Sequence, residues 1–349
     1  MINLINSECP SIENLEPTYK TENIAIVFET SQLFVPYLSV ALLSLLQYTS
    51  PQYNYDILIL SCELQEHDEI ALHNIIQGKD NITMRFLNPH LIAKKYIDKA
   101  RFNYLEINYY RLLLPWILQN YDKVINLGAD IIIQRDIAEL YEIRLSDDEF
   151  MAGAPDLGYH GRLAIDISPK ELGKKDPFTY VNADVILLNL RAIRQSFTQD
   201  QIMRIWQKKQ LRCAEQDAMN IAFDGHVKML DLRWNVYPQR MNSEYHIEHA
   251  PEKSVEIWKE SLSDPYLIHY AAVPKPWDYP LVGFGHIWWE YARKSIYYEE
   301  MLRRMCITAC NANGGQVIGV RGALVNYFRK HCPAFLRPLA KKIKKLLKW

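Results

Sequence analysis

The feature that most constrains the fold is an alternation, over the first 223 residues, of short apolar runs with segments of helical periodicity. Apolar runs typical of strands lie at 23–28, 56–60, 82–86 and 180–190. Apolar residues recur at helical spacing in 35–48, 66–76, 108–118 and 215–223. Because strand and helix alternate, the sequence predicts an α/β fold with a mainly parallel sheet covered by helices.

The segment 121–136 is the best functional clue in this pattern. It predicts a buried strand that delivers one carboxylate, Asp130, to its end. Ligands of α/β sheets bind outside the carboxyl ends of strands, so Asp130 is well placed to hold a metal or a phosphate-bearing ligand. Gly128 stands where an Asp-x-Asp metal motif would carry its first carboxylate. A turn cap is the alternative role for Asp130.

The C-terminal tail differs in charge from the rest of the chain. Residues 301–349 hold 11 of the 40 Lys and Arg and no Asp or Glu, which leaves 29 basic against 41 acidic side chains in residues 1–300. Within 335–349, Leu339, Ile343, Leu346 and Leu347 form one helical stripe among lysines. This pattern favours a helix lying on an anionic membrane surface. A solvated basic tail, or one that docks on the acidic body, is the alternative.

Other partners and compartments are constrained by composition. The body lacks the dispersed basic face and stacking aromatics of a nucleic-acid binder, so we expect no nucleic-acid partner. The polar, acidic start is unlike a signal peptide, and no stretch approaches the roughly 20 apolar residues of a membrane span. The six cysteines contain no Cys-x-x-Cys pair. We therefore expect a cytoplasmic protein, peripheral on the inner face of the plasma membrane.

Several blocks with polar residues in apolar surroundings follow one another in a specific order. Each alone has an ordinary explanation, such as acids in a first helical turn or a core histidine. In this order they resemble the retaining glycosyltransferases of family 8, which include bacterial lipopolysaccharide galactosyl- and glucosyltransferases. The resemblance runs from about residue 23 to 277 and includes 34–40, 109–115, the strand before Asp130, 181–190, Glu215-Gln216-Asp217, and His269 followed by Lys275-Pro276-Trp277.

The resemblance implies a fold and a set of roles. It implies one nucleotide-sugar-binding domain of the GT-A type with a mixed, mainly parallel sheet over residues 1–285, and a small helical C-terminal region with the basic tail over 286–349. Mn²⁺ or Mg²⁺ would be held by Asp130 and His269, and independently of the resemblance we hypothesise that Asp184 is a further ligand and that the metal is weakly bound. Gln216 would lie at the reacting face of the sugar, with Asp217 as the neighbouring acid. The implied donor-binding residues are Thr30, Phe34, Arg111, Asp156, Asn182, Glu215 and Lys275.

Three positions depart from the family pattern. Gly128 removes one carboxylate, the nucleoside-binding stretch 29–34 is altered, and Asp184 stands where the family often has glycine. We hypothesise that Asp184 partly compensates for Gly128. The expected function is retaining transfer of a hexose, glucose or galactose, from a UDP-sugar to a glycan or lipid-linked saccharide with metal assistance. The alternative is a catalytically weakened relative that binds nucleotide sugars or acts as a scaffold.

Overall fold

The computed structural model of the protein describes residues 15–97, 107–165, 167–168, 170, 172–207, 211–238, 247–271 and 274–312. The basic stripe predicted in the tail lies outside these residues. The chain divides into two compact units, Met1–Glu299 and Glu300–Trp349, so the helix Gly285–Ala292 belongs to the first unit. None of the helices in the described part of the chain is long and apolar enough to cross a bilayer.

Within the residues that the structure describes, the strands form a seven-stranded sheet and a separate two-stranded sheet. Their bounds are β1 Asn23–Glu29, β2 Asn54–Leu60, β3 Ile82–Leu87, β4 Lys123–Leu127, β5 Ile131–Ile133, β6 Met151–Pro155, β7 Val181–Asn189, β8 Val227–Met229 and β9 Leu267–His269. The large sheet has the order β3-β2-β1-β4-β7-β6-β8, and β5 pairs with β9. Only β7 runs antiparallel to its neighbours in the large sheet, so the expected mixed, mainly parallel sheet is confirmed.

Helices cover both faces of the large sheet, as a predominantly parallel sheet requires. Their bounds are α1 Val35–Gln47, α2 Glu66–His73, α3 His90–Ile97, α4 Ile107–Ile117, α5 Ala138–Tyr141, α6 Leu157–Leu163, α7 Leu190–Ser196, α8 Gln199–Trp206, α9 Ala214–Ala222, α10 Glu252–Ser261, α11 Gly285–Ala292 and α12 Tyr298–Ala312. Alternate residues of β1 point to opposite faces. Ile26 and Phe28 pack in the core with α1, whereas Ala25 and Val27 pack in the core with α4 and α7.

The prediction of a single strand over 121–136 is wrong in one respect. The segment forms two strands in two different sheets, and Asp130 lies in the connection between them rather than at the end of one strand. The chain leaves the large sheet after Leu127, and β5 then pairs with β9. The backbone N–H of Ile133 donates to the Ser44 hydroxyl of α1 at 2.9 Å, which ties β5 to that helix.

The strand order creates a crevice at one edge of the large sheet. From β1 the chain proceeds outward through β2 and β3, then returns to place β4 on the other side of β1. Ligands of open α/β sheets bind at such a reversal, outside the carboxyl ends of the strands. Because β7 is antiparallel to β4, its first residues reach the same edge.

Candidate active site

A pocket of about 250 Å³ lies at this reversal point. Glu29 ends β1, and Gly128 follows β4 directly. Arg111 reaches the pocket from α4, and Asp184 reaches it from β7. The lining residues are Glu29, Ser31, Phe34, Ile107, Arg111, Gly128, Ala129, Asp130, Asp184, Glu215 and Lys275.

The two-stranded sheet brings Asp130 and His269 together. Its register places Ile131 opposite His269, and the backbone N–H of Tyr270 donates to the carbonyl of Asp130 at 2.9 Å. His269 is fully buried. The distance between Asp130 Oδ1 and His269 Nε2 is 3.4 Å. Backbone pairing between distant segments therefore holds the predicted carboxylate and imidazole side by side.

The side chain of Asp184 lies next to the space that a side chain at position 128 would occupy. The backbone N–H of Gly128 donates to the Asp184 carbonyl at 2.8 Å, which extends the pairing of β4 with β7. A Cβ atom added at Gly128 would lie 3.2 Å from the Cβ of Asp184 and 3.0 Å from Asp130 Oδ1. The carboxylate absent from position 128 is thus matched by one that approaches the same space from β7.

Asp130 and Asp184 each direct one oxygen at a cation and the other at His269. Lys275 Nζ lies 2.5 Å from Asp130 Oδ2, and Arg111 Nη1 lies 2.8 Å from Asp184 Oδ1. Asp130 Oδ1 and Asp184 Oδ2 lie 3.4 and 3.6 Å from His269 Nε2, which is buried without a hydrogen-bond partner. Two carboxylate oxygens, one from each aspartate, therefore face the same imidazole nitrogen.

This donor set fits a divalent cation. Within the residues that the structure describes, no group of three or more His, Cys, Asp and Glu side chains is arranged to hold a metal ion as it stands. The unsatisfied Nε2 of His269 and the facing oxygens of Asp130 and Asp184 nevertheless offer the nitrogen and oxygen donors that suit Mn²⁺. A cation placed among them would satisfy donor atoms that otherwise face one another.

Arg111 is the central cation of the pocket. Its guanidinium lies 3.3 Å from Glu29 Oε2, 2.8 Å from Asp184 Oδ1 and 3.9 Å from Glu215 Oε1. Burial opposes its charge, but the three carboxylates outweigh burial and raise the pKa of Arg111. Burial also raises the pKa of Glu29, an effect that Arg111 and the amide of Asn126 offset in part. Arg111 therefore remains a permanent positive charge.

Asp130 remains an anion despite its burial. Burial alone would raise the pKa of its carboxyl group, but the Lys275 ammonium beside it is the main opposing influence, and the pKa is held well below its usual range. Lys275 also donates to the carbonyls of Tyr270 and Ala271. Asp130 is therefore available as an anionic ligand across the whole neutral range.

Gln216 is held in one orientation by a closed set of hydrogen bonds. Its Nε2 donates to Asp156 Oδ2 at 2.9 Å and to the Tyr180 hydroxyl at 3.0 Å. Its Oε1 accepts from Asn182 Nδ2 at 3.1 Å and from the backbone N–H of Ala183 at 3.0 Å. An amide has two donor and two acceptor positions, and these four contacts use all of them. The structure thus brings together three predicted residues, Gln216, Asp156 and Asn182.

Asp217 and Asp156 also stabilise helix starts. Asp217 is 2% exposed, accepts from the Tyr180 hydroxyl at 2.6 Å, and accepts from the backbone N–H groups of Arg212 and Cys213 at 2.7 and 2.9 Å. Its two oxygens are therefore engaged within the protein at the beginning of α9, which favours a positioning role over a nucleophilic one. Asp156 similarly accepts the backbone N–H of Tyr159 at the start of α6.

Phe34 and Thr30, the two donor-binding residues predicted in the stretch 29–34, differ in their position relative to the pocket. Phe34 lies at the pocket edge, 37% exposed, with its ring against Tyr37 and Trp277. Thr30 is fully buried, and its hydroxyl donates to the carbonyl of Ser31 at 3.1 Å. Because side chains alternate along an extended chain, Glu29 and Ser31 face the pocket while Thr30 points away. Thr30, predicted to contact the donor, therefore does not line the pocket, whereas its two neighbours do.

Two functional candidates were missed by the sequence reasoning. Glu29 was considered only as part of the altered nucleoside-binding stretch 29–34, yet it pairs with Arg111 in the pocket. Asn235 was not singled out, yet its side chain is fully buried and contacts both Asn182 and His269. The only available signal was an amide among apolar neighbours, in the run Trp234-Asn235-Val236-Tyr237.

Comparisons with known proteins place the sequence among glycosyltransferases of one family. The sequence profile of the family described as Glycosyl transferase family 8 matches residues 25–280. The lipopolysaccharide 1,2-glucosyltransferase of Escherichia coli is 27% identical over 203 residues, which are 54% of this chain and 52% of that protein. Glycosyltransferase 8 domain-containing protein 2 of Homo sapiens is 28% identical over 218 residues, which are 56% of this chain and 61% of that protein. The chain thus spans about half to three fifths of the length of these relatives.

Two solved structures share the fold. The apo structure of the bifunctional glycosyltransferase WbbM has a TM-score of 0.74 at 22% identity, covering 84% of this chain and 53% of that one. The galactosyltransferase LgtC, solved with donor and acceptor sugar analogs, has a TM-score of 0.64 at 21% identity, covering 78% of this chain and 96% of that one. These likenesses confirm the expected GT-A type of fold.

Proposed function

The chain belongs to glycosyl transferase family 8, and from that premise we propose that it is a metal-assisted, retaining hexosyltransferase. The donor is a UDP-sugar, UDP-glucose or UDP-galactose, and the acceptor is a glycan or a lipid-linked saccharide. The basic tail holds the protein on the cytoplasmic face of an anionic membrane. The observation that carries the proposal is the buried, unpartnered Nε2 of His269 facing one oxygen each of Asp130 and Asp184.

The charge balance of the pocket supports a role for a divalent cation. Four carboxylates line it against two permanent cations, so the formal charge of the pocket is negative by two. A donor diphosphate is itself an anion and would be repelled by this pocket. A divalent cation at Asp130, His269 and Asp184 would balance the excess and stabilise the charge that develops on the departing diphosphate.

The two cationic side chains suit the diphosphate. Lys275 has three N–H donors, and Asp130 and the carbonyls of Tyr270 and Ala271 accept them. A diphosphate oxygen that displaced one carbonyl would keep the ammonium satisfied. Arg111 presents a planar, permanently charged fork to the same pocket. Both groups are aimed where negative charge grows as the glycosidic bond breaks.

The hexose lies, in this proposal, against the amide cluster of Gln216, Asn182 and Asp156. Retention is ordinarily explained by a carboxylate nucleophile behind the anomeric carbon. Here the group on that face is the amide of Gln216, and Asp217 is engaged at the start of α9. Front-side attack by the acceptor hydroxyl, with its proton passing to the leaving phosphate, needs no protein nucleophile. Gln216 and its partners would then bind and orient the sugar by exchanging one of their internal hydrogen bonds for a sugar hydroxyl.

The decisive experiment measures UDP release and thermal stabilisation with a panel of UDP-sugars, with and without Mn²⁺. We expect turnover with at least one UDP-hexose and its loss on chelation. His269→Gln should abolish the metal effect, whereas His160→Gln, at a buried histidine outside the pocket lining, should retain it. Absence of both turnover and UDP binding with Mn²⁺ would refute the proposal. Stabilisation without turnover would instead support the binding or scaffolding alternative.

A further inference from the structure

Asn235 connects the proposed metal ligands to the proposed sugar-binding residues. It ends the short 3-10 turn Leu232–Asn235 and is fully buried. Its Nδ2 donates to Asn182 Oδ1 at 3.2 Å, and its Oδ1 lies 2.8 Å from Nδ1 of His269. One amide therefore contacts both a proposed sugar-binding residue and a proposed metal ligand, although it does not line the pocket itself.

The orientation of this amide follows from a backbone group that can only donate. The N–H of Asp184 lies 3.0 Å from Asn182 Oδ1, so that atom must be the acceptor oxygen. The Nδ2 of Asn182 correspondingly faces an acceptor, Gln216 Oε1, at 3.1 Å. Asn235 must therefore present its NH₂ group to Asn182. Its oxygen is then left to face His269, so Nδ1 of His269 carries the ring proton.

The position of that proton decides what His269 can bind. With Nδ1 protonated, the neutral ring directs the lone pair of Nε2 toward Asp130 and Asp184. Without Asn235, a proton on Nε2 would be favoured, because it could be donated to Asp130 Oδ1 at 3.4 Å. In that tautomer His269 offers no lone pair to a cation. The acceptor oxygen of Asn235 thus selects the tautomer that binds metal.

We propose that Asn235 is a positioning residue that couples metal binding at His269 to donor-sugar binding at Asn182. The inference rests on the proposed function, and it identifies Asn235 as the residue that links the proposed metal site to the proposed sugar site. The oxygen of Asn235 serves His269, and its nitrogen serves Asn182. The two effects are therefore separable by substitution.

The test uses Asn235→Ala and Asn235→Asp in the full chain. The first removes both contacts, and the second keeps an acceptor for His269 but loses the donor to Asn182. We expect Asn235→Ala to weaken Mn²⁺ binding about 10- to 100-fold, as is typical for loss of a group that orients a metal ligand. Asn235→Asp should retain Mn²⁺ affinity. In both variants the extra affinity of UDP-hexose over UDP should fall. Calorimetric titration measures each quantity.

A matched control is Asn220→Ala. Asn220 is equally buried, and its amide bonds the backbone of Val181 and Gln216 without contacting His269. It should lose stability while keeping Mn²⁺ affinity. Equal losses of Mn²⁺ affinity in Asn220→Ala and Asn235→Ala would overturn the inference, as would an unchanged affinity in Asn235→Ala. If Asn235→Ala does not fold, Asn235→Asp decides alone, because retained Mn²⁺ affinity with a lost hexose increment is required.

A metal-free measurement separates this inference from the proposed function. ¹⁵N spectra of histidine-labelled protein report which ring nitrogen is protonated, and the His269 signal is identified by its absence in His269→Gln. We expect the Nδ1–H form in wild type and in Asn235→Asp, and a shift toward Nε2–H in Asn235→Ala. Wild type that binds no Mn²⁺ but shows this pattern would refute the metal role alone. An Nε2–H form in wild type would refute the inference about Asn235.

Discussion

Gly128→Asp, alone and combined with Asp184→Gly, tests whether positions 128 and 184 share one space and one charge. The new Cβ would lie 3.0 Å from Asp130 Oδ1 and 3.2 Å from Asp184 Cβ. Crowding of this kind costs about 1–3 kcal/mol. A third carboxylate about 4 Å from either of the others adds about 4 kcal/mol of repulsion at an effective dielectric constant of about 20, before nearby cations and protonation relieve it. We expect Gly128→Asp to lower the free energy of unfolding by about 2–4 kcal/mol.

The second substitution should remove the part of this cost that comes from Asp184, while the contact with Asp130 remains. Asp184→Gly alone deprives Arg111 of a partner at 2.8 Å and should cost about 1 kcal/mol. Without the Asp184 side chain, an aspartate at position 128 is neither crowded nor repelled by a residue of β7. The double variant should therefore be more stable than the sum of the single effects by about 1–3 kcal/mol. Urea unfolding of the four proteins at neutral pH without metal measures this coupling, and Gly128→Ala separates crowding from charge.

Mn²⁺ titration of the same proteins examines the ligand role. Asp184→Gly should weaken Mn²⁺ binding by at least about tenfold, and Gly128→Asp in that background should restore it. Single-variant effects on stability that add within about 0.5 kcal/mol would show that the two positions do not share a space. Wild-type Mn²⁺ affinity in Asp184→Gly would remove Asp184 from the ligand set. Either result would refute the compensation argument.

Three further predictions concern pH, the amide cluster and the tail. Burial raises the pKa of Glu29 above the ordinary glutamate value of 4.5. The free energy of unfolding of wild type relative to Glu29→Gln should therefore be greatest below about pH 4.5 and fall as the pH rises through the folded-state pKa. Urea unfolding across pH measures this difference. In Gln216→Glu, an oxygen replaces the Nε2 that donates to Asp156 Oδ2 at 2.9 Å. We expect the free energy of unfolding of this variant to be about 1–3 kcal/mol lower than that of wild type, and the difference to be larger at pH 8 than at pH 5. A difference that does not change with pH would contradict this. Removal of the residues after Arg329 should abolish sedimentation with anionic vesicles, and equal partitioning of both forms would exclude the membrane role.

Much of the fold was predictable because it depends on local patterns. The apolar run at β1 supplies both faces of a buried strand, with Ile26 on one side and Val27 on the other. The apolar spacing in 35–48 likewise predicted α1 to within one residue at each end. The spacing of apolar side chains indicates which face of a segment is buried, and this spacing is visible within each segment without knowledge of its partners.

The errors occurred where neighbouring segments alone do not determine the structure. The hydrophobic run 121–136 has the composition of one strand, but Ile131 pairs with His269 in a second sheet. Thr30 was expected at the pocket, but alternation along the extended chain turns it away. Asn235 was missed because its local signal, one amide among apolar neighbours, does not by itself indicate a role in the site. Its importance depends on partners far away in the chain.

By itself the sequence determined the element order, the core and the chemical types in the site, since these follow from periodicity and from the order of recognisable blocks. It also showed that Gly128 lacks a carboxylate and that Asp184 has one. Only the tertiary structure decided that these two positions share a space, because the antiparallel pairing of β4 with β7 sets that approach. It likewise decided which nitrogen of His269 faces the carboxylates, because that depends on a hydrogen bond from Nδ1 to a distant amide.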